Sequence, residues 1–247
     1  MTKFTVIIGL AAAVAVADDT FAASLTFSSK EQRAVLLELY TSEGCSSCPP
    51  ADRWLSRLKD DPRLWNQIVP VAFHVDYWNY LGWPDRFADA RFSRRQEQYE
   101  RYGYLQTVYT PGVVKNGREW RGWSHTGIPV STGDKGGVLK ANIHDGGIAA
   151  KFVPDHGRQS PLVLNVALLG FNLTTRVVAG ENAGKFLSHD FVVLDFRQFT
   201  EAPRDGQFTW KLPGILNGAA HDRSAIALWV SAVDDPTPLQ AAGTWLK

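Results

Sequence analysis

The chain of 247 residues carries 26 basic and 25 acidic side chains, and its formal net charge of +1 argues against nucleic acid or anionic lipid as a partner. Hydrophobic residues make up 45% and aromatic residues 12% of the chain, which is enough to build a core in one or two domains. One methionine and scattered histidines argue against a Met-rich or His-rich metal carrier, and the sequence calls for no metal or other cofactor.

Residues 1–23 have the pattern of a secretory signal peptide. One cation, Lys3, precedes an uncharged stretch rich in Ala, Val and Ile, and small residues suited to cleavage lie near Ala17 and Ala23. The apolar stretch is shorter than the roughly 20 residues that span a bilayer, and no later uncharged segment reaches that length. We therefore expect a periplasmic or secreted protein with no membrane insertion after cleavage. An uncleaved helix that tethers the chain to lipid is the alternative.

Strand and helix patterns alternate through the first half of the chain. Two apolar runs predict buried strands, two segments with helical spacing predict amphipathic helices, and an Asn-Gly pair predicts a hairpin turn. In chain order these are strand 34–40, helix 51–58, strand 68–75, helix 84–102 and hairpin 112–120, with a short helix expected near 138–143. This order predicts a mixed sheet flanked by helices over residues 30–147.

The pattern changes beyond residue 148. Short apolar strands separated by turn residues replace the helical spacing, at residues 161–169, 175–178, 191–196, 207–211 and 224–230. Such spacing is typical of an antiparallel β-sandwich. We expect a second, β-rich domain over residues 148–247.

Cys45 and Cys48 are the two cysteines of the chain, and they lie between the first predicted strand and the first predicted helix. A disulfide between them closes a loop too short to restrain the unfolded chain much, so redox chemistry explains the pair better than stabilisation does. Unpaired N–H groups at a helix start favour a thiolate. Pro49 and Pro50 fit a first helical turn, with Ser47 as N-cap, Cys45 as the exposed attacking thiol and Cys48 as the buried resolving thiol.

Two other interpretations of the cysteine pair stay open at this point. One is a permanently oxidised loop without redox activity. The other is half of a metal site, which the chain does not favour because it has no second cysteine pair and no matching histidine spacing.

A strand, a C-x-x-C motif, a helix and a later Thr-Pro before a hairpin resemble the thioredoxin superfamily. More specifically, roughly residues 33–230 are similar to the secreted bacterial family called domain of unknown function 1223. The segments that carry this resemblance are 38–52 (ELYTSEGCSSCPPAD), 74–83 (HVDYWNYLGW), 109–111 (YTP) and 180–184 (GENAG). The resemblance implies an α/β thioredoxin-like domain ahead of the sandwich-like domain, but no established reaction.

The superfamily resemblance also implies roles for individual residues. Cys45 matches the nucleophile, Cys48 the resolving thiol, and Pro111 a cis-proline that aligns the substrate backbone beside the disulfide. A trans proline in an edge strand is the alternative for Pro111. The dipeptide Ser46-Ser47 replaces the Gly-Pro of thioredoxins, which leaves the reduction potential open.

Glu38 is a further candidate because it interrupts an apolar strand. Burial raises the pKa of a carboxyl group toward the range where it can relay a proton, here from Cys48. Thioredoxins carry a buried acid six residues before the first cysteine, whereas the separation here is seven. A structural partner for an arginine or a backbone donor is the alternative.

His74, Asp76, Tyr77 and Trp78 follow the second predicted strand and, with Thr110, are candidates to line a substrate groove at the carboxyl ends of the strands. The aromatic residues have an alternative role in packing the two domains together. The other histidines, His189 among them, fall in polar contexts typical of surface loops. The segment around Gly180 is either a functional turn that contacts the first domain or an ordinary turn.

These observations favour an exported thiol-disulfide oxidoreductase that exchanges electrons through Cys45 and Cys48 with a protein or small thiol/disulfide substrate. The alternative is a non-enzymatic periplasmic binding or interaction protein on the same scaffold, in which the disulfide is structural.

Overall fold

A computed structural model describes residues 24–128, 133–216 and 223–246 of the chain. The predicted signal peptide lies outside the described residues. The α-helices are α1 (Pro49–Ser56) and α2 (Ala90–Arg101), and short 3-10 turns cover Arg57–Asp60, Asn79–Leu81 and Arg121–Ser124. The strands are β1 (Leu25–Ser28), β2 (Val35–Thr41), β3 (Ile68–His74), β4 (Gly112–Lys115), β5 (Arg118–Glu119), β6 (Val138–His144), β7 (Gly147–Val153), β8 (Leu162–Gly170), β9 (Leu173–Arg176), β10 (Phe186–His189), β11 (Val192–Glu201), β12 (Phe208–Leu212), β13 (Ser224–Ala232) and β14 (Pro238–Trp245).

The strands form three sheets. The largest has eight strands in the order β14-β13-β8-β11-β3-β2-β4-β5, and a four-stranded sheet has the order β1-β6-β7-β12. Strands β9 and β10 form a separate two-stranded hairpin. Within the large sheet, β3 pairs in parallel with both β2 and β11, and the other neighbours are antiparallel. Among the described residues, no helix has the length and apolar character needed to cross a membrane.

The predicted fold class, a helix-flanked α/β thioredoxin-like domain followed by a separate β-sandwich, is wrong. Of the described residues, 43% are in strands or bridges and 15% in helices, and these residues form only two α-helices. The eight-stranded sheet takes strands from both halves of the chain, which join where Ala72 of β3 pairs with Val192 of β11. A run of apolar residues predicts that both faces of a strand are buried, but it does not identify the distant strand that pairs with its edge.

The predicted helix near residues 138–143 is also wrong, because this segment forms strand β6 with largely alternating burial. Strand β6 pairs with β7 through a turn after His144, so the predicted boundary near residue 148 falls inside a hairpin. The division into domains 30–147 and 148–247 stays a prediction about independent folding.

The large sheet is buried on both faces in its β8–β13 region, which explains the unbroken apolar runs there. Leu164 and Leu228 face a core shared with the four-stranded sheet. Ala167 and Trp229, at positions of opposite parity, face the core that covers β2 and β3. Period-two alternation therefore sends successive side chains into two different cores.

One edge of the large sheet brings together three segments that the sequence singled out. Because β2 and β3 are parallel, the cysteine loop after β2 and the aromatic segment after β3 emerge at the same edge. Strand β4 is antiparallel to β2, with Gly112 opposite Tyr40, so the Thr110-Pro111 segment enters at that edge too.

Candidate functional site

Cys45 and Cys48 form a disulfide at the start of α1, with their Cα atoms 5.4 Å apart. Cys48 is the N-cap, and the two prolines occupy the first two helical positions. The predicted N-cap, Ser47, is one residue too early, because the N–H groups of Ala51 and Asp52 already donate to the carbonyl oxygen of Cys48 at 2.9 and 3.1 Å. The helix start is thus directly next to the disulfide.

The disulfide is shielded from solvent, contrary to the prediction of an exposed Cys45. Cys45 is 1% exposed and Cys48 is fully buried. Ser46 and Ser47, between them, are exposed, and the Ser47 hydroxyl lies 3.4 Å from the Cys45 sulfur. The Cys45 sulfur therefore lies beneath the exposed Ser47 side chain.

The turn of residues 180–184, which we call the clamp turn, lies on the cysteine loop. The buried Asn182 amide donates to the carbonyl oxygens of Glu43 at 2.8 Å and Cys45 at 2.9 Å. The Glu181 carboxylate accepts from the Ser46 N–H at 3.0 Å. Hydrogen bonding from Ser46, first through its side chain and then through its N–H, lowers the pKa of Glu181. The clamp turn connects β9 to β10, so that hairpin is tied to the cysteine loop.

The Thr110-Pro111 peptide bond is cis, as the resemblance implied. The Trp78 indole N–H donates to the Thr110 hydroxyl at 2.7 Å. Trp78 also packs against the cysteine loop, where a Cβ added to Gly44 would lie 3.0 Å from the Trp78 Cβ. Trp78 thus contacts both the cysteine loop and the segment that carries Pro111.

Tyr77 and Asp76 are held by α2. The Tyr77 hydroxyl donates to the Gln96 side chain at 3.1 Å, and burial raises the pKa of Tyr77 well above its usual range. The Asp76 carboxylate accepts from the Ser93 hydroxyl at 2.5 Å. Tyr77 and Trp78 are partly exposed and pack against the main core, so packing is one of their roles. Their role in lining a substrate groove stays a prediction.

His74, the fourth predicted groove residue of that segment, is fully buried and does not reach the surface. Its Nδ1 lies 2.7 Å from the Asp85 carboxylate. Burial favours the neutral ring, but the Asp85 carboxylate raises the pKa of His74 above its ordinary value. Burial likewise opposes ionisation of Asp85, but the charge on His74 and hydrogen bonds lower its pKa to about 2.

His74 and Asp85 belong to a group of five buried side chains that we call the polar cluster: Glu43, Asp52, His74, Asp85 and His189. His189 Nε2 is 3.5 Å from Glu43 Oε1, and His189 Nδ1 is 3.7 Å from Asp52 Oδ2. The two imidazole rings meet edge to face, 4.9 Å apart. Within the described structure, both nitrogens of His189, Glu43 Oε1 and His74 Nε2 have no hydrogen-bond partner.

Glu38 lies in a different buried network. Its carboxylate accepts from Arg95 Nε at 2.7 Å and from the hydroxyls of Tyr99 at 2.5 Å and Tyr40 at 3.1 Å. The Arg95 guanidinium also lies over the rings of several core aromatic residues, including Trp229 at 5.2 Å. Glu38 therefore has the arginine partner that the sequence left open as the alternative to a proton relay.

Sequence reasoning missed Glu43, Asp52, Asp85 and His189. One signal existed for His189, because Leu187 and His189 stand two residues apart in a short strand and so share its buried face. A signal also existed for Asp52, because it follows Cys48 by one helical turn and so lies on the same side of α1 as that cysteine. In the described part of the chain, no group of three or more His, Cys, Asp or Glu side chains has an arrangement suited to a metal ion.

We expect Arg95→Met to lower the free energy of unfolding by about 3–5 kcal/mol, because it leaves the Glu38 carboxylate buried without its cation. Urea unfolding followed by tryptophan fluorescence measures the change. The control is Arg94→Met on the exposed face of the same helix, which is expected to stay within about 0.5 kcal/mol of wild type. Equal stability of wild type and Arg95→Met would contradict a structural ion pair at Glu38.

The pair of His74 and Asp85 is expected to make stability depend on pH. The folded state raises the pKa of His74, so the stabilisation is complete below the ordinary histidine value of about 6.5 and is lost as the pH rises through the folded-state value. Asp85→Asn is therefore expected to cost about 3–5 kcal/mol near pH 6 and progressively less at higher pH. Urea midpoints between pH 5 and 9 test this.

The control for that titration is His156→Gln, which changes an exposed histidine and is expected to follow wild type at every pH. A stability difference between wild type and Asp85→Asn that stays constant from pH 5 to 9 would rule out the coupling.

Comparisons with known proteins support the fold as a whole. The crystal structure of Protein AGR_C_4864 from Agrobacterium tumefaciens is similar, with a TM-score of 0.63 and 25% identity over 87% of this chain and 95% of that chain. HBP35 of Porphyromonas gingivalis is similar in fold, with a TM-score of 0.55 and 15% identity over 87% of this chain and 76% of that chain. No curated protein matches the sequence. The model of the family described as protein of unknown function (DUF1223) matches residues 36–231, and the chain belongs to this family.

Proposed function

We propose that the protein is an exported thiol-disulfide oxidoreductase that exchanges electrons through Cys45 and Cys48. The observation that carries the proposal is the disulfide at the first turn of α1, in which the Cys45 sulfur contacts the exposed Ser47 side chain. Protein disulfides or small thiols are its proposed substrates, and the site calls for no bound cofactor. Export is supported by the sequence pattern of residues 1–23.

The helix start favours this chemistry because it lowers the cost of a thiolate. The positive end of the helix dipole stabilises negative charge near Cys45 and Cys48. Pro49 and Pro50 have no N–H to contribute, and the N–H groups of Ala51 and Asp52 already donate to the Cys48 carbonyl oxygen, so the dipole is the contribution that the helix makes here.

The proposed reaction proceeds through a mixed disulfide. A thiolate of the partner attacks the Cys45 sulfur, the bond between Cys45 and Cys48 breaks, and Cys48 leaves as a thiol. A second thiol of the partner then attacks its own bridged sulfur and releases Cys45. The partner is oxidised by two electrons and loses two protons, which the two cysteines take up. The reverse direction is equally available, because the direction depends on the reduction potentials of the two pairs.

Access is the condition that this mechanism must meet, since both sulfurs are shielded in the oxidised protein. On one side the exposed Ser47 side chain contacts the Cys45 sulfur. On another side the clamp turn holds the loop through Asn182. A modest displacement of either contact is expected to expose Cys45.

The same burial supports a second candidate function, a binding or interaction protein in which the disulfide is structural. In that case the disulfide fixes the loop between β2 and α1, and the partly exposed Tyr77 and Trp78 contact the ligand. The two functions differ in the reactivity of the reduced cysteines.

For an oxidoreductase we expect Cys45 of the reduced protein to alkylate at least tenfold faster than Cys48, with a thiol pKa below the ordinary value of about 8.5. Mass spectrometry of iodoacetamide-labelled peptides at several pH values measures both rates. Cys48→Ser, treated with glutathione disulfide, is expected to retain a mixed disulfide at Cys45, because the resolving thiol is absent.

The matched control is Cys45→Ser, which keeps only the resolving thiol and is expected to form the mixed disulfide much more slowly. Two cysteines that alkylate equally slowly, with no mixed disulfide in Cys48→Ser, would leave the binding protein as the better explanation.

We further expect Asn182→Ala to speed reduction of the disulfide by dithiothreitol about 5- to 150-fold. The substitution removes two hydrogen bonds to the cysteine loop, worth about 0.5–1.5 kcal/mol each, and so lowers the cost of exposing Cys45. Acid-quenched alkylation and intact mass give the rate. Asn142→Ala, in the separate four-stranded sheet, is the control, and an unchanged rate in folded Asn182→Ala would show that the clamp turn does not limit access.

A further inference from the structure

One member of the polar cluster, Asp52, lies on α1 close to the disulfide. The Asp52 N–H donates to the Cys48 carbonyl oxygen at 3.1 Å, which places the two residues one helical turn apart. Side chains four residues apart lie on the same helix face, about 5–6 Å from each other at Cβ. Asp52 is only 7% exposed, so the helix places a carboxyl group with little water around it on the same face as Cys48, one turn away.

Two groups contact the Asp52 carboxyl from neighbouring strands. The Thr41 hydroxyl at the end of β2 donates to Oδ1 at 2.8 Å. His189 at the end of β10 places Nδ1 3.7 Å from Oδ2. Behind them stand Glu43, His74 and Asp85, and the described ion pairs of the cluster carboxylates are with the two histidines alone. The net charge of the cluster therefore changes when one of these side chains gains or loses a proton.

The unpartnered atoms of the cluster show that its hydrogen bonding is incomplete in the oxidised state. Neither nitrogen of His189 makes a hydrogen bond, although the residue is 2% exposed and its nearest carboxylate oxygens lie at 3.5 and 3.7 Å. Buried polar atoms without partners cost free energy, and a purely structural network would be expected to satisfy them. A site that accepts and returns a proton has a reason to keep spare donors and acceptors.

Opening the disulfide creates the need for such a site. When the bond between the sulfurs breaks, the electron pair remains on Cys48, which is fully buried. An uncompensated thiolate there is expensive, because buried charge has no water to solvate it. A proton must therefore reach Cys48 from a group that is already buried next to it.

We propose that Asp52 supplies a proton to Cys48 when the disulfide opens and takes it back when the disulfide re-forms, with His189 as the positioning residue behind it. This inference rests on the proposed oxidoreductase function. As a dithiol attacks Cys45, the bond between Cys45 and Cys48 breaks, Cys48 takes the carboxyl proton, and Asp52 becomes a carboxylate. The Thr41 hydroxyl, which donates to Oδ1, and the His189 ring beside Oδ2 then stabilise the new charge.

The protonation state of Asp52 fits this role. Burial raises the pKa of Asp52 above the ordinary aspartate value, and this effect outweighs the opposing effects of His189, His74 and the Thr41 hydroxyl. Asp52 therefore holds its proton to a higher pH than an exposed aspartate does. Glu38, by contrast, contacts a guanidinium that keeps its charge paired.

The test is the pH dependence of disulfide reduction by dithiothreitol in the full chain, between pH 4 and 9. The rate is divided by the thiolate concentration of the reductant, so that titration of the reductant itself is removed. In wild type we expect the corrected rate to fall as the pH rises through the ionisation of Asp52. Asp52→Asn is expected to be about 100-fold slower at the acid end and independent of pH.

Further variants separate a proton role from a structural one. Asp52→Glu is expected to restore a pH-dependent rate. His189→Gln is expected to shift the inflection to higher pH, because it removes an interaction that lowers the pKa of Asp52. Asp60→Asn in the exposed turn after α1 and His156→Gln are the matched controls, and both are expected to follow wild type. His189→Gln gives an independent answer if Asp52→Asn does not fold.

Failure of this inference differs from failure of the proposed function. The inference alone is overturned if wild type reacts normally and Asp52→Asn has the same pH profile. A His189→Gln profile without a shift overturns it as well. A wild-type disulfide that resists the dithiol at every pH overturns the oxidoreductase function and the inference with it.

Discussion

The parallel pairing of β2 with β3 is the constraint on which the site depends. It brings the chain after each strand to one edge of the sheet, so that the cysteine loop and the aromatic segment meet there. The antiparallel strand β4 then introduces Pro111 at that edge, and Trp78 contacts both neighbours. A shift of one residue in this register would turn Glu38 away from Arg95 and leave its carboxylate buried without a cation, which protects the arrangement.

Different neighbours give the buried carboxyl groups of Glu38 and Asp52 different properties. Glu38 lies beside a guanidinium that is itself buried among aromatic rings, so its carboxylate has a cationic partner. Asp52 contacts a hydroxyl and an imidazole but no guanidinium or ammonium group, and burial raises its pKa. A carboxyl group in the protein interior thus serves stability at one position and suits proton transfer at the other.

Local features of the sequence predicted local structure well. The apolar run before Glu43 and the pair Pro49-Pro50 indicated β2 and α1 to within about two residues, and the Asn116-Gly117 turn joins β4 to β5, with positive φ at both residues. The fold class failed because strand pairing is a long-range choice. The sequence of residues 68–75 does not indicate that β11 pairs with this strand. Without that pairing, the sequence gives no reason to place His189, just before β11, in the interior.

Stability alone gives no reason for the polar cluster. Replacing a buried ionic group by apolar residues of similar volume is often neutral or stabilising by about 1–4 kcal/mol, and the large sheet shows that the chain packs apolar side chains efficiently elsewhere. The cluster also shares an element with the clamp turn, because Asn182 and His189 belong to the same hairpin. On the proposed mechanism, movement of that hairpin would expose Cys45 and loosen the contacts of Asp52 together, which couples access to the disulfide with the supply of its proton.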